Sequence, residues 1–517
     1  MQLSKPAPSQ GAPLLTLAAV CLAALTMPLS FTGPALALTA IGRELGGDTL
    51  ALTWVLNAFI LSFGSSLMAA GALADQFGRK RVFLFGLGLF SLSSLGLFLI
   101  GNLLWLDLLR AAQGLGAALA FASGLAALAQ SFAGAARMRA FSLIGTTFGI
   151  GLAFGPLLCG ILIQALGWRA IFALAGLVGL LALGLAVYCM RESRDPQAAG
   201  LDWPGALSFT LALSLLTYGL LAAPERGWNS PLVIALLLGS VAAFGLFVAL
   251  ERRTARPMLD LSLFRYPRFV GVQCLAAAPA YAFVVLLVLL PLRLVGAEGV
   301  SEADAGRVML ALSAPMLVLP LCAAWLTRWL SAAVLSAGGL LLCALGLWWL
   351  SRYPQLSALQ QTLWPLLLIG VGISLPWGLM DGLAVSVVPK ERAGMAAGIF
   401  STTRVAGEGI ALALVGALLA ALLQQRLAAV SMAVPQALAT AASQGALGKL
   451  AAAGELLPGL APETLSQAYA AAFQQLLTVL SGLTVLSALV VALFLRGTGQ
   501  AQPEQTAADP ALDSACS

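Results

Sequence analysis

GALADQFGRKR, running from Gly71 to Arg81, separates two long apolar segments, and a polar break this short between membrane-length runs reads as a tight loop at a membrane surface. Gly71 would let two helices approach closely, and Gly78 would supply a turn conformation that residues with a Cβ adopt poorly. Asp75 can sit against the positive end of a facing helix or pair with an arginine, while Arg79, Lys80 and Arg81 hold the loop in the cytoplasm. An ordinary basic hairpin would account for the cations. It would not account for the spacing G-x-x-x-D-x-x-G-R-K.

Composition sets the class around that loop. The 517 residues are 60% apolar and 9% charged, with a mean hydropathy of +0.96, values outside the range of soluble domains. About fourteen apolar runs approach the roughly 20 residues that cross a bilayer. Backbone groups in lipid must be paired within the segment, so the runs are helices. The net charge of +6 comes from cations scattered at run ends rather than gathered on one face, which argues against nucleic acid and for loop topology. Cys21, Cys159, Cys189, Cys274, Cys322 and Cys343 lie in apolar runs and Cys516 in the tail, so no disulfide framework is implied. With no histidine, proton chemistry falls to carboxylates. No G-x-x-x-x-G-K-[ST] occurs, which argues against nucleotide as the energy source. No metal site or cofactor is implied, and no motif of an enzyme stands out.

Taken in order, residues 1–12 form a short cytoplasmic start. The run from Pro13 to Ile41 is too long for a cleaved signal peptide and is read as the first span. Residues 13–190 then hold six helices, and 191–268 form a charged linker with two further spans. Residues 269–496 hold six more helices, with a long Ala-, Gln- and Gly-rich segment at 425–467 placed outside the cell. Residues 497–517 are a polar tail expected to be disordered. With the N-terminus inside, most of the 27 Lys and Arg fall in cytoplasmic segments, and an even number of spans returns the C-terminus there. The loop pattern recurs weakly at Ala323–Ser331, AAWLTRWLS, with Thr327 where an aspartate would stand. The whole is an all-α integral membrane protein of two six-helix bundles plus two inserted helices.

A few polar residues lie inside the apolar helices. Arg110 shares a helix face with Gln113, and a cation so placed either faces a partner or snorkels to the interface. Gly151, Gly155, Pro156 and Gly160 lie within GTTFGIGLAFGPLLCG. There the proline frees a carbonyl and kinks the helix while the glycines permit close packing. In the second half Asp381 has no cation within reach on its own helix. Glu408 follows Arg404 by four residues and so shares its face, as a mutually neutralising pair or as a transport group. Asp381 is the first choice of proton carrier, with Glu408 and Arg404 as the other coupling candidates. Substrate-binding residues cannot be read.

Together these stretches resemble the fourteen-span drug:proton antiporter family of the major facilitator superfamily. The likeness rests on Gly71–Arg81, Arg110 with Gln113–Gly116, the glycine and proline series at 151–160, Gly167–Arg169, Leu201–Gly205 and Leu259–Arg265. It implies export of amphipathic drugs or metabolites in exchange for protons, by alternating access, in the plasma membrane of the cell. The partners implied are a small-molecule substrate, protons and the lipid bilayer. No accessory export partner can be read. Gly71, Asp75, Gly78, Arg79, Arg110, Gln113 and the glycine and proline series would then serve conformational gating. One departure stands out: Ser30 occupies the place where the family often carries an aspartate in its first span. A solute importer or facilitator on the same fold and a non-transporting receptor are the alternatives.

Overall fold

The structure is a computed structural model that describes residues 11–132, 134–194, 202–254, 257, 259, 261–356, 359–387, 393–431 and 433–495. Most of the N-terminal start, Lys390 and the tail at 497–517 lie outside the described residues. The first half consists of α1 (Gly11–Leu45), α2 (Thr49–Phe77), α3 (Arg79–Leu99), α4 (Leu103–Ser131), α5 (Gly134–Leu166) and α6 (Arg169–Cys189). The inserted pair is α7 (Trp203–Arg226) and α8 (Pro231–Arg253). The second half begins with α9 (Pro267–Pro279) and α10 (Val285–Pro291), continues through α11 (Glu302–Ser313) and α12 (Leu319–Leu326), and then α13 (Ala332–Leu350) and α14 (Leu359–Ser386). It ends with α15 (Ala393–Val430), α16 (Pro435–Ala446), α17 (Leu450–Glu455) and α18 (Pro462–Phe494). Among the described residues thirteen helices are long and apolar enough to cross a membrane, and fourteen if the bent α5 is one span.

Helix starts follow local chemistry. Asp48 accepts from the Ala51 amide at 2.7 Å and Asn102 from the Trp105 amide at 2.9 Å, so each satisfies an amide that the first turn cannot. Prolines set the irregularities. Pro279 and Pro291 each adjoin a π-helical turn, at Ala280–Val284 and Leu292–Ala297, and the helical path thereby runs from Pro267 to Ala297. The π turn at 292–297 carries Arg293 into the packed helix. The two parts of α5, Leu143–Leu152 and Phe154–Leu166, meet at 41°, as expected where Pro156 frees the Leu152 carbonyl.

Helices α1 to α6 pack into one bundle, and α9 to α15 with α18 into the other. They meet along two seams, α5 against α11 and α2 against α15. Helix α7 lies along the second seam, touching both α2 and α15, and α8 packs on α7. We call the end carrying Gly71–Arg81 the loop end and the opposite one the cap end. The Ala-, Gln- and Gly-rich segment at 425–467, to which the sequence assigned no secondary structure, is helical: it lengthens α15 and α18 and forms α16 and α17 over the cap end. The physical reason is an apolar face, with Leu438, Ala441, Ala442 and Ala446 all buried, on a segment rich in good helix formers. This cap touches both halves. Gly448 lies against the backbone of Leu292 and Gly296, and Lys449 reaches over Gly42. Burial there lowers the Lys449 pKa, opposed by the nearby Asp48 carboxylate.

The α5–α11 seam is backbone on backbone. A Cβ at Gly160 would lie 2.3 Å from the Glu302 carbonyl, and one at Gly306 would lie 2.8 Å from Pro156 O. Gly151 and Gly155 face the other way, toward Pro28 and Thr32 of α1. Gly71, by contrast, has nothing within 4 Å of its Cβ position, which corrects the expectation that it brings two helices together: Ala70 and Ala74, fully buried, occupy the packed face of α2. Gly160→Leu is therefore expected to destabilise the purified protein by about 1–3 kcal/mol through overpacking, and Gly71→Leu by less than about 0.5 kcal/mol. Thermal unfolding in detergent checks this, and equal shifts for the two variants would refute the assignment of the close face.

Candidate functional site

Two polar clusters lie within the first half and one within the second, and a small cavity lies between the halves. At the loop end, Gly78 turns the chain with φ 108°, a conformation strained for any residue with a Cβ. Asp75 pairs with Arg79 four residues on, Oδ1 accepting from Nη2 at 2.7 Å and from Nε at 3.0 Å. The sequence allowed this pairing or a helix-end contact, and the pairing is what forms. Glu192, just after α6, was not singled out in the sequence. Its carboxylate accepts from the amides of Lys80 at 3.1 Å and Arg81 at 3.2 Å, an anion on the N-terminus of α3. The Arg79 amide donates to Ser193 O at 2.8 Å, so the turn is bolted to the end of α6 through backbone as well as charge.

The second cluster surrounds Arg110, which is 0% exposed and so does not snorkel. Its Nε donates to Val55 O at 2.9 Å and its Nη1 to Gln113 Oε1 at 2.6 Å. The guanidinium carbon sits 4.6 Å from the centre of the Phe59 ring, a favourable place for a cation. Gln113 passes the chain on, donating to Ser94 Oγ at 2.7 Å and to Ser30 Oγ at 3.5 Å. Ser30 thus touches this network at its far edge, and a hydroxyl there brings no charge. Arg110 Nη2 and Asp107 Oδ1 are left buried without hydrogen-bond partners among the described residues.

The third cluster joins α14 and α15. Arg404 Nη1 lies 3.4 Å from Asp381 Oδ1, with the aspartate side chain 64% exposed and the arginine 13%. Arg404 thus pairs across two helices, so Asp381, which has no cation within reach on its own helix, finds one on the next. The cause is geometry: α14 and α15 run antiparallel, so residues 23 apart in sequence come level. The Arg404 guanidinium also lies 5.7 Å from the Trp377 ring and 5.6 Å from that of Phe400. Trp377 in turn meets Phe148 of the first half at 6.3 Å and Phe283 at 6.4 Å.

Glu408, one turn along from Arg404, opens onto a small cavity of about 20 Å³ between the halves, walled by Phe31, Phe59, Phe63, Phe148 and Trp377 with aliphatic neighbours. It is the one ionisable side chain on the described wall. Near the cap end a further buried cation appears that hydropathy had assigned to a loop. Arg293, 1% exposed, donates to Glu298 at 2.8 Å and to Pro354 O at 2.6 Å, and lies 4.6 Å from the Phe473 ring. Glu298 also accepts from the Leu356 amide at 3.0 Å, so the pair locks the ends of three helices. The sequence signal was present, an Arg and a Glu five residues apart after a proline, but only the π turn at 292–297 makes it visible.

The sequence model of the Major Facilitator Superfamily matches residues 18–412. The chain is 33% identical over 415 residues to the multidrug resistance protein Stp of Mycobacterium tuberculosis (strain CDC 1551 / Oshkosh), covering 80% of this chain and 77% of that protein. It is 29% identical over 509 residues to the tetracenomycin C resistance and export protein of Streptomyces glaucescens, covering 96% and 94%, and 35% identical over 384 residues to the cephamycin export protein CmcT of Amycolatopsis lactamdurans, covering 73% and 79%. Among solved structures, a bacterial homolog of the human lysosomal transporter Spinster, inward-facing and unoccupied, superposes with a TM-score of 0.64 at 16% identity, covering 96% of this chain and 100% of that one.

The Arg110 network makes a direct prediction. Arg110→Ala leaves Gln113 Oε1 without its donor in a dry environment, at about 1–3 kcal/mol, and removes a second hydrogen bond from the Val55 carbonyl. Arg110→Lys is expected not to restore the loss, because one ammonium cannot reproduce the planar fork that spans both partners. Both variants should unfold several degrees below the parent in detergent, and a parent-like lysine variant would show that charge alone is what the site requires.

Proposed function

The chain belongs to the major facilitator superfamily, a family of transporters and not of enzymes, and on that premise we propose that this multi-pass membrane protein exports amphipathic small molecules, drugs or metabolites, in exchange for protons. The proposed mechanism is alternating access of one cavity between the halves, in the plasma membrane, with the loop end and both termini in the cytoplasm. The observation that carries the reading is Glu408 on a cavity wall of aromatic rings. Flat rings contact many apolar shapes without demanding one, and their faces attract cations. A single carboxylate among them gives an amphipathic cation its one specific partner.

Glu408, rather than Asp381, is the proposed proton carrier. A transported proton must exchange with substrate at a site both can reach. Glu408 stands on the shared cavity, while Asp381 lies outside its lining and is bound to Arg404. Asp381 and Arg404 then form a tie between α14 and α15, and Arg404 in turn supports the Trp377 ring on the cavity wall. Proton binding at Glu408 removes the charge that holds a cation, and its loss restores it, so the two ligands exclude one another and exchange follows. Gly71–Arg81 with Glu192, and the α5–α11 glycine seam, are the proposed gating elements.

The test is ethidium transport driven by an imposed pH gradient in proteoliposomes containing the full-length protein. Glu408→Gln is expected to abolish both ethidium movement and ethidium-induced proton release. Asp381→Asn should keep the coupling while changing its rate several-fold at most. Coupled exchange that survives in Glu408→Gln and is lost in Asp381→Asn would return the proton to Asp381. Ethidium moving with the proton, rather than against it, would make the protein an importer.

A further inference from the structure

A second cavity, of about 60 Å³, lies on the cap side of the first. The two share three walls. On α2 the lining steps from Ile60 to Leu56, on the helix through Ala280–Pro291 from Val284 to Val288, and on α15 from Glu408 to Leu412. Each step is four residues, one helical turn of about 5.4 Å. The upper cavity is thus the continuation of the lower one along the same helix faces. Two elements outside the twelve-helix core enclose it: α7 closes the side with Leu220 and Leu221, and α16 roofs it with Ser443, Ala446 and Leu447.

The wall is almost wholly aliphatic, with Thr53 and Ser443 as its polar side chains among the described lining residues. Ser443 is 4% exposed, and its Oγ has no hydrogen-bond partner. A buried hydroxyl left unpaired costs stability, and a water would need two to four polar partners that this wall does not offer. An aliphatic arm ending in one hydrogen-bonding atom suits both features: carbon against the leucines and alanines, the polar end on Ser443.

We propose that this cavity is a second substrate site, which takes an uncharged aliphatic arm bearing a hydrogen-bonding end while the cationic part of the same class of molecule lies toward Glu408. Ser443 and Ala446 of the cap then set how long and how polar an arm is accepted. Helix α16 is in this way part of the binding surface, rather than only a cover. The inference rests on the amphipathic-cation reading given above.

The experiment is equilibrium binding of three probes, methyl-, butyl- and 4-hydroxybutyl-triphenylphosphonium, to the full-length protein in nanodiscs, with empty nanodiscs as the blank. In the unaltered protein the butyl probe should bind on the order of tenfold more tightly than the methyl probe, from the added buried methylenes, and the hydroxybutyl probe more tightly than its desolvation alone would allow. Ala446→Phe fills the cavity from the roof and Ala420→Leu from the α15 wall. Either should erase the butyl advantage and leave methyl binding unchanged, so that one misfolded variant does not decide the matter. Ser443→Ala should weaken hydroxybutyl binding severalfold more than butyl binding. A butyl advantage that persists in both filled, monodisperse variants, or that is missing from the unaltered protein, overturns the proposal. Equal methyl-probe affinity for the unaltered protein and Glu408→Gln marks instead a failure of the earlier reading, since that probe has no arm to enter the upper cavity.

Discussion

A charge inside an apolar bundle has no water to turn to, and the arrangement of this protein follows from how each one is met. Arg110 is held by a carbonyl, an amide oxygen and an aromatic face. Arg293 has a carboxylate, a carbonyl and an aromatic face. Arg404 has a carboxylate and two rings. These three cations are fixed by neighbours from other turns or other helices, so each pins elements together. Glu408 differs in kind. Its cation one turn away is engaged by Asp381, and its surroundings are aromatic walls and a void. Of the four it is the one whose side chain faces a cavity rather than a fixed partner.

Between apolar helices in an apolar solvent, burial from water gives no drive to associate, and cohesion depends on closeness of approach. Helix α5 shows both uses of that rule. Gly151 and Gly155 seat it on α1 within its own half, while Gly160, with Gly306 opposite, lets it meet α11 across the seam. The kink at Pro156 separates the two surfaces. A helix that is glycine-faced on two sides is held by shape rather than by interlocked side chains, and contacts of that kind slide or part without breaking a specific bond. The α2–α15 seam uses the same device, with Gly64 against the Ala406 backbone, and α7 covers it.

Much of this was legible in the sequence because it depends on local spacing. Gly78 had to turn, Arg79 was four residues from Asp75, and Gln113 was three from Arg110, so a single helix or loop decides those contacts. The family likewise followed from short contiguous motifs. What escaped depends on how separate elements align. The Asp381–Arg404 pair joins two antiparallel helices, Glu192 reaches the start of α3 from the end of α6, and the packed side of α2 at Gly71 is set by which face meets α4. Arg293 was hidden because hydropathy ends a span at the first charge, whereas the backbone continues through a π turn until Glu298 compensates that charge. The segment at 425–467 was read by composition alone, and its buried alanines show their purpose only when α15 and α7 are beside them.

The two seams are therefore unequal at the cap end. On the α5–α11 side the halves touch backbone to backbone. On the α2–α15 side α7 forms a wall, and α16 with the Gly448–Lys449 turn spans the gap, resting on Leu292 and Gly296 of one half and over Gly42 of the other. Any motion that parts the halves at this end must separate smooth helix surfaces on one side and lift a covalently attached bridge on the other. The bridge is tethered through α15 and α18, both in the second half, so its contact with the first half, at Lys449 and Gly42, is the one that has to yield. That contact is a single half-buried ammonium with its pKa lowered by burial and Asp48 as its counter-charge. It is a weaker hold than the close backbone packing of Gly448 on its own half.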